Sequence, residues 1–288
     1  MSELLSLGCQ IFKNEPLSNR ASFKIGGPAD FLIEVPNYLA LEKIYERLSN
    51  ENIFILGAGT NILFSDEGFR GVVLKLSQEF KEFVFEGEKL FCGAAASLPL
   101  IVKSAAQKGL SGLQCLAGIP GTVGGAVFGN AGSANIWISQ CIESVEIFRD
   151  FRREIIKSSE INFEYRKSSI DAIITKINFS LKKDAKNDIL AAISQSIENR
   201  KKTQPIDKPS AGCVFKNPKG LSAGKLIDEA GLKGVSIGGA QISDLHGNFI
   251  INKDKAGFND ILALIELIKR TVKKKFNVNL ELEIRIIQ

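Results

Sequence analysis

The most informative stretch of the chain reads Gly118-Ile-Pro-Gly-Thr-Val-Gly-Gly-Ala-Val-Phe-Gly-Asn-Ala-Gly132. It lies in a segment between Lys108 and Glu143 that contains no charged residue. Glycine permits positive φ angles and lets a ligand approach the backbone N–H groups directly. Several N–H groups that point into one concavity bind an anion without a cationic side chain. The stretch therefore predicts a phosphate-binding loop.

The alternative interpretations of this segment are a membrane span and a packed core segment. A span needs about 20 mostly apolar residues, whereas Pro120, Asn130 and eight glycines from Gly109 to Gly132 interrupt this segment. We favour a cofactor-binding loop over structural packing. A second loop of the same character, Leu56-Gly-Ala-Gly-Thr-Asn-Ile62, follows a short apolar run. Two such loops predict an elongated ligand whose diphosphate is held at more than one place.

The bulk composition is that of a soluble globular protein with two or three domains. The chain has 288 residues, of which 44% are hydrophobic and 24% are charged, and both fractions are ordinary. The net charge of +5 comes from short clusters of Lys and Arg, which are typical of solvated faces, so we expect no nucleic-acid partner. We expect a cytoplasmic protein without membrane association, because the amino terminus lacks a basic start and a signal-length apolar region.

Cysteine and histidine usage restricts the available chemistry. Five cysteines occur without a CxxC spacing, and His246 is the only histidine. This pattern predicts neither a disulfide framework nor a metal site, and no GxSxG motif is present for a serine hydrolase. The chemistry is then expected from carboxylates, Arg, Lys, Cys or a bound cofactor.

The hydrophobic periodicity alternates between strands and helices along the whole chain. This predicts an α+β or mixed α/β class with mixed sheets, and a composition shift near residues 204–209 marks the entry to a C-terminal domain. We expect three parts, residues 1–76, 77–200 and 201–288. The pattern predicts helices at 41–48, 98–108, 189–202, 224–230 and 260–276, and strands at 30–35, 53–56, 72–76, 82–85, 89–92, 145–148, 154–156, 173–181, 249–252 and 280–287.

The loop that begins at Gly57 starts like the dinucleotide fingerprint GxGxx(G/A) of Rossmann domains. Its third position is Ile62, which is too bulky for the close helix–strand packing that this motif requires, and no clear helix follows. A Rossmann NAD domain is therefore the weaker interpretation.

Six segments of the chain occur in the order found in one known family. They are residues 19–30, 56–63, 118–132, 165–168, 210–218 and 280–285. Together they resemble the UDP-N-acetylenolpyruvoylglucosamine reductase (MurB) family, in its shorter subtype that lacks an inserted tyrosine-bearing substrate loop. The resemblance implies a flavoenzyme that completes UDP-N-acetylmuramate for bacterial peptidoglycan. It implies a two-part FAD-binding domain of the vanillyl-alcohol-oxidase type (residues 1–76 and 77–200) and a C-terminal substrate domain (residues 201–288).

The same resemblance implies the ligands of the site. FAD is expected to bind non-covalently, and NADPH is expected to be the hydride donor to a protein that is a monomer. The expected FAD-binding residues lie on the two glycine loops: Gly57, Ala58, Gly59, Thr60, Asn61, Ile62, Gly118, Ile119, Pro120, Gly121, Thr122, Gly124, Gly125 and Ala126. The candidate contacts to the substrate UDP-N-acetylenolpyruvoylglucosamine are Tyr165, Arg200, Asn217 and Gln241.

By similarity, three residues carry the catalysis. Arg166 matches the arginine that faces the enolpyruvyl carboxylate, although an ion pair with Glu164 is an alternative. Glu283 matches the glutamate of the C-terminal strand, but alternation puts Glu281 on the same face, so only the family pattern selects Glu283.

Cys213 stands where the family typically has a serine proton donor. A thiol, with a pKa of about 8.5, is a far stronger acid than a hydroxyl and can donate a proton at neutral pH. A buried structural cysteine is the alternative. This substitution also leaves open a non-catalytic nucleotide-binding module, and a further rival is another FAD oxidase of the same superfold. His246 is expected to support the C-terminal domain without a role in the reaction.

Overall fold

The computed structural model describes residues 2–48, 50–133 and 136–288. In this part of the chain none of the helices combines the length and the apolarity needed to cross a bilayer. The helices that form are α1 (Ser2–Ser6), α2 (Tyr38–Leu48), α3 (Leu98–Gln107), α4 (Val123–Phe128), α5 (Lys186–Thr203), α6 (Ala223–Glu229) and α7 (Phe258–Phe276).

The strands are mostly short, and several consist of two residues. They are β1 (Gln10–Pro16), β2 (Pro28–Val35), β3 (Ile53–Ile55), β4 (Ile62–Phe64), β5 (Phe69–Leu76), β6 (Phe83–Glu86), β7 (Lys89–Gly93), β8 (Leu110–Ser111), β9 (Gly132–Ser133), β10 (Ile136–Trp137), β11 (Ile142–Arg149), β12 (Arg152–Lys157), β13 (Phe163–Glu164), β14 (Lys167–Ser168), β15 (Ile173–Ser180), β16 (Lys182–Lys183), β17 (Ser236–Ile237), β18 (Ala240–Ile242), β19 (Ile250–Asn252) and β20 (Arg285–Ile287).

The chain divides into two compact units, and each is assembled from separate parts of the sequence. Unit 1 comprises Met1–Phe12, Phe31–Ala58 and Gly71–Glu198, and unit 2 comprises Lys13–Asp30, Gly59–Arg70 and Asn199–Gln288. The first glycine loop is thus shared between the units, with Gly57 and Ala58 in unit 1 and Gly59 onward in unit 2. The predicted division at residues 76 and 200 stays a prediction.

The largest sheet of unit 1 is antiparallel, with the strand order β12-β11-β15-β7-β6. Alternating apolar residues of the central strand β15 are buried, and α3 adds Ile101 and Val102 to the same core. Pro99 lies in the first turn of α3, where a missing N–H costs nothing. A further sheet has the order β1-β2-β5-β3 and contains the parallel pair β3–β5.

Unit 2 has its own core around α7 and the sheet β17-β18-β19. The apolar residues Ile261, Leu264, Ile265, Ile268 and Val272 recur at helical spacing and are all buried, which is the pattern expected of a core-facing helix. The helix begins where the Asp260 carboxylate accepts the Gly257 N–H at 3.0 Å. It ends at Asn277, whose φ of 55° is left-handed, as is common after a helix.

Most of the predicted elements are confirmed, and two expectations are wrong. The strand predicted at residues 280–287 is confined to β20, because the chain bends at Ile284. The stretch at residues 118–132 is not loop throughout, because its middle forms α4. After the first glycine loop the chain continues as β4, as expected for a protein without a Rossmann βαβ unit.

Candidate FAD and substrate site

The two glycine loops approach each other within unit 1 at Gly57 and Thr122. A Cβ atom built on Gly57 would lie 2.8 Å from the Thr122 Oγ1 atom, which is closer than side chains normally pack. A side chain at position 57 would therefore displace the Thr122 hydroxyl, and glycine is favoured where the loops approach. A Cβ at its counterpart Gly125 would meet the same Thr122 Oγ1 atom at 3.3 Å, which is a tight contact but a less severe one.

Thr122 is also the N-cap of α4, and its Oγ1 accepts the Gly125 N–H at 3.2 Å. The N–H groups of Val123 and Gly124 donate to the carbonyl oxygens of Ala96 and Ala94, at 3.0 and 2.8 Å. The first amides of α4 thus make hydrogen bonds inside the fold. Gly124 packs on Ala94, since a Cβ there would lie 2.8 Å from the Ala94 Cβ atom, and Ala126 is also buried. We therefore expect Gly125, which is exposed, to offer backbone surface to a cofactor.

Left-handed glycines shape the rest of both loops. The φ angles of Gly59, Gly118 and Gly121 are 67°, 76° and 140°, values that residues with a side chain rarely adopt. A Cβ at Gly59 would lie 2.1 Å from the Arg20 carbonyl oxygen. Gly59 thus packs on the Arg20 backbone, whereas left-handed turns without side chains, as at Gly118 and Gly121, let a ligand approach the main chain closely. In this respect the loops fit the FAD that the sequence implies.

Gly59 also connects two of the six motif segments in unit 2. Its carbonyl oxygen accepts the Ser22 N–H at 3.0 Å. The Ser22 hydroxyl donates to the carbonyl oxygen of Ser210 at 2.6 Å. The segments at residues 19–30 and 210–218 are therefore held together beside the first glycine loop.

Asn61 connects the first glycine loop to the C-terminal segment that carries Glu283. Its side-chain Nδ2 donates to the Glu283 carbonyl oxygen at 3.1 Å, across 222 positions of sequence. Its own carbonyl oxygen accepts the Arg285 N–H at 3.0 Å. From there β20 continues parallel to β4, with Arg285 opposite Ile62. A residue expected to bind FAD thus also positions the backbone of an expected catalytic residue.

Cys213 lies on a segment that pairs with the same C-terminal stretch. The Glu283 N–H donates to the Val214 carbonyl oxygen at 2.8 Å, and the Cys213 backbone bridges to Phe249. The Cys213 side chain is half-buried. Unit 2 therefore brings two of the three expected catalytic residues onto adjacent backbone segments.

Burial distinguishes the two glutamates that the alternation pattern left equivalent. The Glu281 side chain is 78% exposed and pairs with Lys216 at 3.6 Å. Glu283 is half-buried. This difference supports Glu283 as the residue of the site and Glu281 as a solvated surface group.

Arg166 lies in unit 1, at the turn between β13 and β14. Its φ of 60° is left-handed, an uncommon conformation for a residue with a side chain. Its Nη1 donates to the Gly132 carbonyl oxygen at 2.9 Å. The Glu164 carboxylate, the alternative partner considered from the sequence, accepts from Asn162 Nδ2 at 3.0 Å.

The four candidate substrate contacts are separated along the chain. Tyr165, in unit 1, is 39% exposed. In unit 2, Arg200 Nη1 donates to Gln204 Oε1 at 3.2 Å. The Asn217 side-chain oxygen Oδ1 accepts the Ala223 N–H at the start of α6. Gln241 is buried and donates to the Gly234 carbonyl oxygen at 2.9 Å. Their roles as substrate contacts stay predictions.

His246 has the packing of a supporting residue. Its Nδ1 accepts the Asn248 N–H at 3.2 Å, and its ring lies edge-on to Phe249 with 4.9 Å between the centroids. Burial, followed by the charge of Lys233, lowers the pKa of His246. A neutral imidazole is the form that can accept a hydrogen bond at Nδ1.

The sequence reasoning missed two residues that support the site. Asn248 is 3% exposed, and its side chain bonds both the N–H and the carbonyl oxygen of Phe215, at 2.9 and 2.8 Å. Its signal was a polar side chain directly before the apolar run of β19. Trp137 contacts Arg166 with 5.5 Å between the guanidinium carbon and the ring centroid, and its signal was that it is the single tryptophan of the chain.

Comparison with known proteins gives matches over the whole chain. The model of the FAD binding domain matches residues 30–150, and that of the UDP-N-acetylenolpyruvoylglucosamine reductase C-terminal domain matches residues 204–287. UDP-N-acetylenolpyruvoylglucosamine reductase of Caldanaerobacter subterraneus is 42% identical, with 100% of this chain and 96% of the relative covered. UDP-N-acetylenolpyruvoylglucosamine reductase 2 of Symbiobacterium thermophilum is 39% identical, with coverages of 96% and 92%.

A solved structure agrees with these matches. The crystal structure of UDP-N-acetylenolpyruvylglucosamine reductase from Thermus caldophilus superposes with a TM-score of 0.87 at 39% identity, and covers 97% of this chain and 100% of that one. The expected combination of an FAD-binding domain with a C-terminal α/β domain is thereby confirmed. Fold and glycine loops define the chain as an FAD-dependent oxidoreductase. It belongs to the UDP-N-acetylenolpyruvoylglucosamine reductase family.

Proposed function

We propose that this protein reduces the enolpyruvyl ether of UDP-N-acetylenolpyruvoylglucosamine to UDP-N-acetylmuramate, with non-covalent FAD and with NADPH as the reductant. The observation that carries the proposal is the connection made by Asn61. This residue joins the glycine loop expected to hold FAD to the segment of Glu283, which in turn pairs with the segment of Cys213. The relatives of this chain are UDP-N-acetylenolpyruvoylglucosamine reductases, which supports the choice of substrate.

The glycine loops would hold the FAD diphosphate, and the protein's own side chains would supply charge stabilisation and a proton. Bound FAD would supply the hydride that the methylene carbon of the enolpyruvyl group accepts, with NADPH as the reductant of the flavin. This addition leaves negative charge on the neighbouring carbon and on the conjugated carboxylate.

Arg166 would stabilise that developing charge. A guanidinium offers fixed donors to a carboxylate, and donors aimed at charge that forms during the reaction are worth about 10²–10³ in rate. The hydrogen bond to the Gly132 carbonyl oxygen uses one of five N–H donors of the side chain.

Cys213 would deliver the proton that completes the reduction, to the carbon that bears the ether oxygen and the carboxylate. Glu283, in its protonated form, would donate a hydrogen bond to the enol-like oxygen. Their adjacent backbone segments are held by the Glu283 N–H to Val214 bond at 2.8 Å and by the Asn248 side chain on Phe215. Such fixed backbone limits the rearrangement needed during the reaction. We further propose that the protein acts as a cytoplasmic monomer in peptidoglycan precursor synthesis.

The test is an assay of the purified protein. Denaturation should release FAD and not FMN, because two glycine loops fit a diphosphate. NADPH oxidation should depend on UDP-N-acetylenolpyruvoylglucosamine and yield UDP-N-acetylmuramate by mass spectrometry. Protein that binds this UDP-sugar without turning it over would instead support a non-catalytic nucleotide-binding module. NADPH oxidation by oxygen that the substrate does not change would support another FAD oxidase.

A further inference from the structure

Two aromatic rings of unit 1 lie against the Arg166 guanidinium. Its central carbon lies 5.5 Å from the ring centroid of Trp137 and 5.6 Å from that of Tyr165. The two rings meet edge to face, with 5.5 Å between centroids and 77° between planes. Both distances to the guanidinium lie within the roughly 6 Å range of cation–π attraction. Two rings therefore restrict the guanidinium at once.

The backbone beneath the cluster fixes the position of Trp137. Gly132 pairs with Trp137 in the β9–β10 ladder. A Cβ on Gly132 would lie 2.5 Å from the Trp137 Cε3 atom, so the indole packs directly on this glycine. The carbonyl oxygen of the same Gly132 accepts the Arg166 Nη1 donor at 2.9 Å. One glycine thus supports both the ring and the guanidinium that the ring contacts.

The turn that carries Arg166 is held independently of the rings. Asn130 Nδ2 donates to the Glu164 carbonyl oxygen at 2.9 Å, and the Ser168 hydroxyl donates to the Phe128 carbonyl oxygen at 2.9 Å. These bonds fix the backbone on both sides of the left-handed Arg166. These backbone bonds do not restrict the rotamers of the long Arg166 side chain. The Trp137 and Tyr165 rings and the Gly132 carbonyl oxygen restrict them.

We propose that Trp137 is a positioning residue that holds the Arg166 guanidinium in the geometry needed for substrate reduction. This inference rests on the proposed function of Arg166 and adds a residue that the family motifs do not include. Trp137 acts through Arg166 and need not touch the substrate. Its effect should therefore appear in the substrate half-reaction and disappear when Arg166 is already changed.

The first test is spectroscopic and requires no substrate. Trp137 is the only tryptophan, so the intrinsic tryptophan emission of the purified, FAD-loaded protein reports on this residue alone. Arg166→Met should change its emission intensity and its accessibility to acrylamide. Lys167→Met is the matched control, because it removes an exposed cation from the adjacent position of the same hairpin, and should leave the emission unchanged. Equal spectra for Arg166→Met and the native protein would overturn the inference.

The second test is kinetic. Trp137→Leu should slow reoxidation of the NADPH-reduced enzyme by UDP-N-acetylenolpyruvoylglucosamine about tenfold, and leave reduction by NADPH unchanged. Trp137→Phe should recover most of the rate, because a phenyl ring keeps the cation–π contact. In an Arg166→Met background, which has no cation at this position, Trp137→Leu should have a much smaller effect. Equal slowing by Trp137→Leu in both backgrounds, or no recovery with Phe, would make Trp137 a packing residue only.

The two tests separate failure of this inference from failure of the proposed function. If the substrate does not reoxidise the native enzyme, the proposed function is wrong, and the emission test still decides whether Trp137 and Arg166 are coupled. If turnover occurs but Arg166→Met has the same tryptophan emission as the native protein, only the positioning role of Trp137 is wrong. Should Trp137→Leu not fold, Trp137→Phe and the Arg166→Met emission remain decisive.

Discussion

Gly57→Ala tests the contact between the two glycine loops. The new methyl group would lie 2.8 Å from Thr122 Oγ1, and ordinary contact at 3.4 Å needs a movement of about 0.6 Å. The cheapest relief is rotation of the Thr122 side chain, which gives up its cap on the Gly125 N–H. Loss of such a cap costs about 0.5–2 kcal/mol. We therefore expect Gly57→Ala to lower the free energy of unfolding by about 1 kcal/mol.

A double-mutant cycle identifies the cause. Thr122→Ala removes the cap and should cost about 1 kcal/mol by itself. In that background Gly57→Ala should cost almost nothing, because the clashing Oγ1 atom is gone. Gly129→Ala is the control, since a Cβ there meets no atom closer than 3.6 Å, and its effect should be neutral or slightly stabilising.

The assay is equilibrium urea unfolding followed by far-UV circular dichroism, with flavin removed so that FAD binding does not add to the free energy. FAD titration of the same variants should give a raised Kd for Gly57→Ala. If the losses in free energy of unfolding of Gly57→Ala and Thr122→Ala add up in the double variant, the contact with Thr122 is not the reason why position 57 is glycine. An unchanged Kd would show that this contact does not shape the FAD site.

Two further predictions concern Arg166 and Asn61. Arg166→Ala should slow flavin reoxidation by substrate about 10²–10³-fold and leave flavin reduction by NADPH intact; stopped-flow traces with equal slowing of both steps would make Arg166 a structural residue. Asn61→Ala and Asn61→Asp both remove the donor to the Glu283 carbonyl oxygen, so both should weaken FAD binding and slow reoxidation together, as measured by titration and stopped flow. A change in only one of the two properties would contradict the linking role of Asn61.

The sequence predicts elements well where periodicity and burial agree. The apolar spacing of α7 leaves one arrangement for its buried face, and Gly87 and Glu88 form the two-residue turn of the β6–β7 hairpin. The prediction of one strand at 280–287 was wrong because the backbone of this segment changes its pairing partner midway. Lys216 and Val214 pair with Glu281 and Glu283 on one side of Ile284, and β4 pairs with β20 on the other. The alternation of apolar and polar residues indicates which side chains are buried. It does not indicate where the backbone changes from one pairing partner to another.

The helix α4 was not predicted, because contacts from distant parts of the chain outweigh its local sequence preference. Its sequence contains Gly124 and Gly125, which disfavour helix by about 1 kcal/mol each. The helix forms because Thr122 caps it and because the carbonyl oxygens of Ala94 and Ala96 accept its first amides. These acceptors are distant in sequence, so local propensity could not reveal them.

The candidate site also combines features that the sequence predicts with features that only the structure shows. Motif order predicts Arg166, Cys213 and Glu283 as catalytic residues, and the structure adds the backbone bonds that hold the last two on neighbouring segments. Glu281 and Glu283 could not be separated by alternation, because their difference lies in the Lys216 partner and in burial. Trp137 stands out in the sequence as the single tryptophan, but its contact with Arg166 joins residues 29 positions apart, and no local pattern predicts that contact.

The most direct test of the proposed function is anaerobic stopped-flow reoxidation of the NADPH-reduced flavin by UDP-N-acetylenolpyruvoylglucosamine, compared between the native protein and Cys213→Ala. The account predicts rapid reoxidation of the native protein. Cys213→Ala should be reduced by NADPH normally and then be reoxidised at least about 100-fold more slowly, the usual lower range for loss of a general acid. Cys213→Ser, the control that restores a hydroxyl donor, should keep substantial activity and lose the alkaline fall in rate that accompanies ionisation of a thiol. A native flavin that stays reduced would contradict the proposed reaction, and an alanine variant as fast as the native protein would contradict the assignment of Cys213 as proton donor.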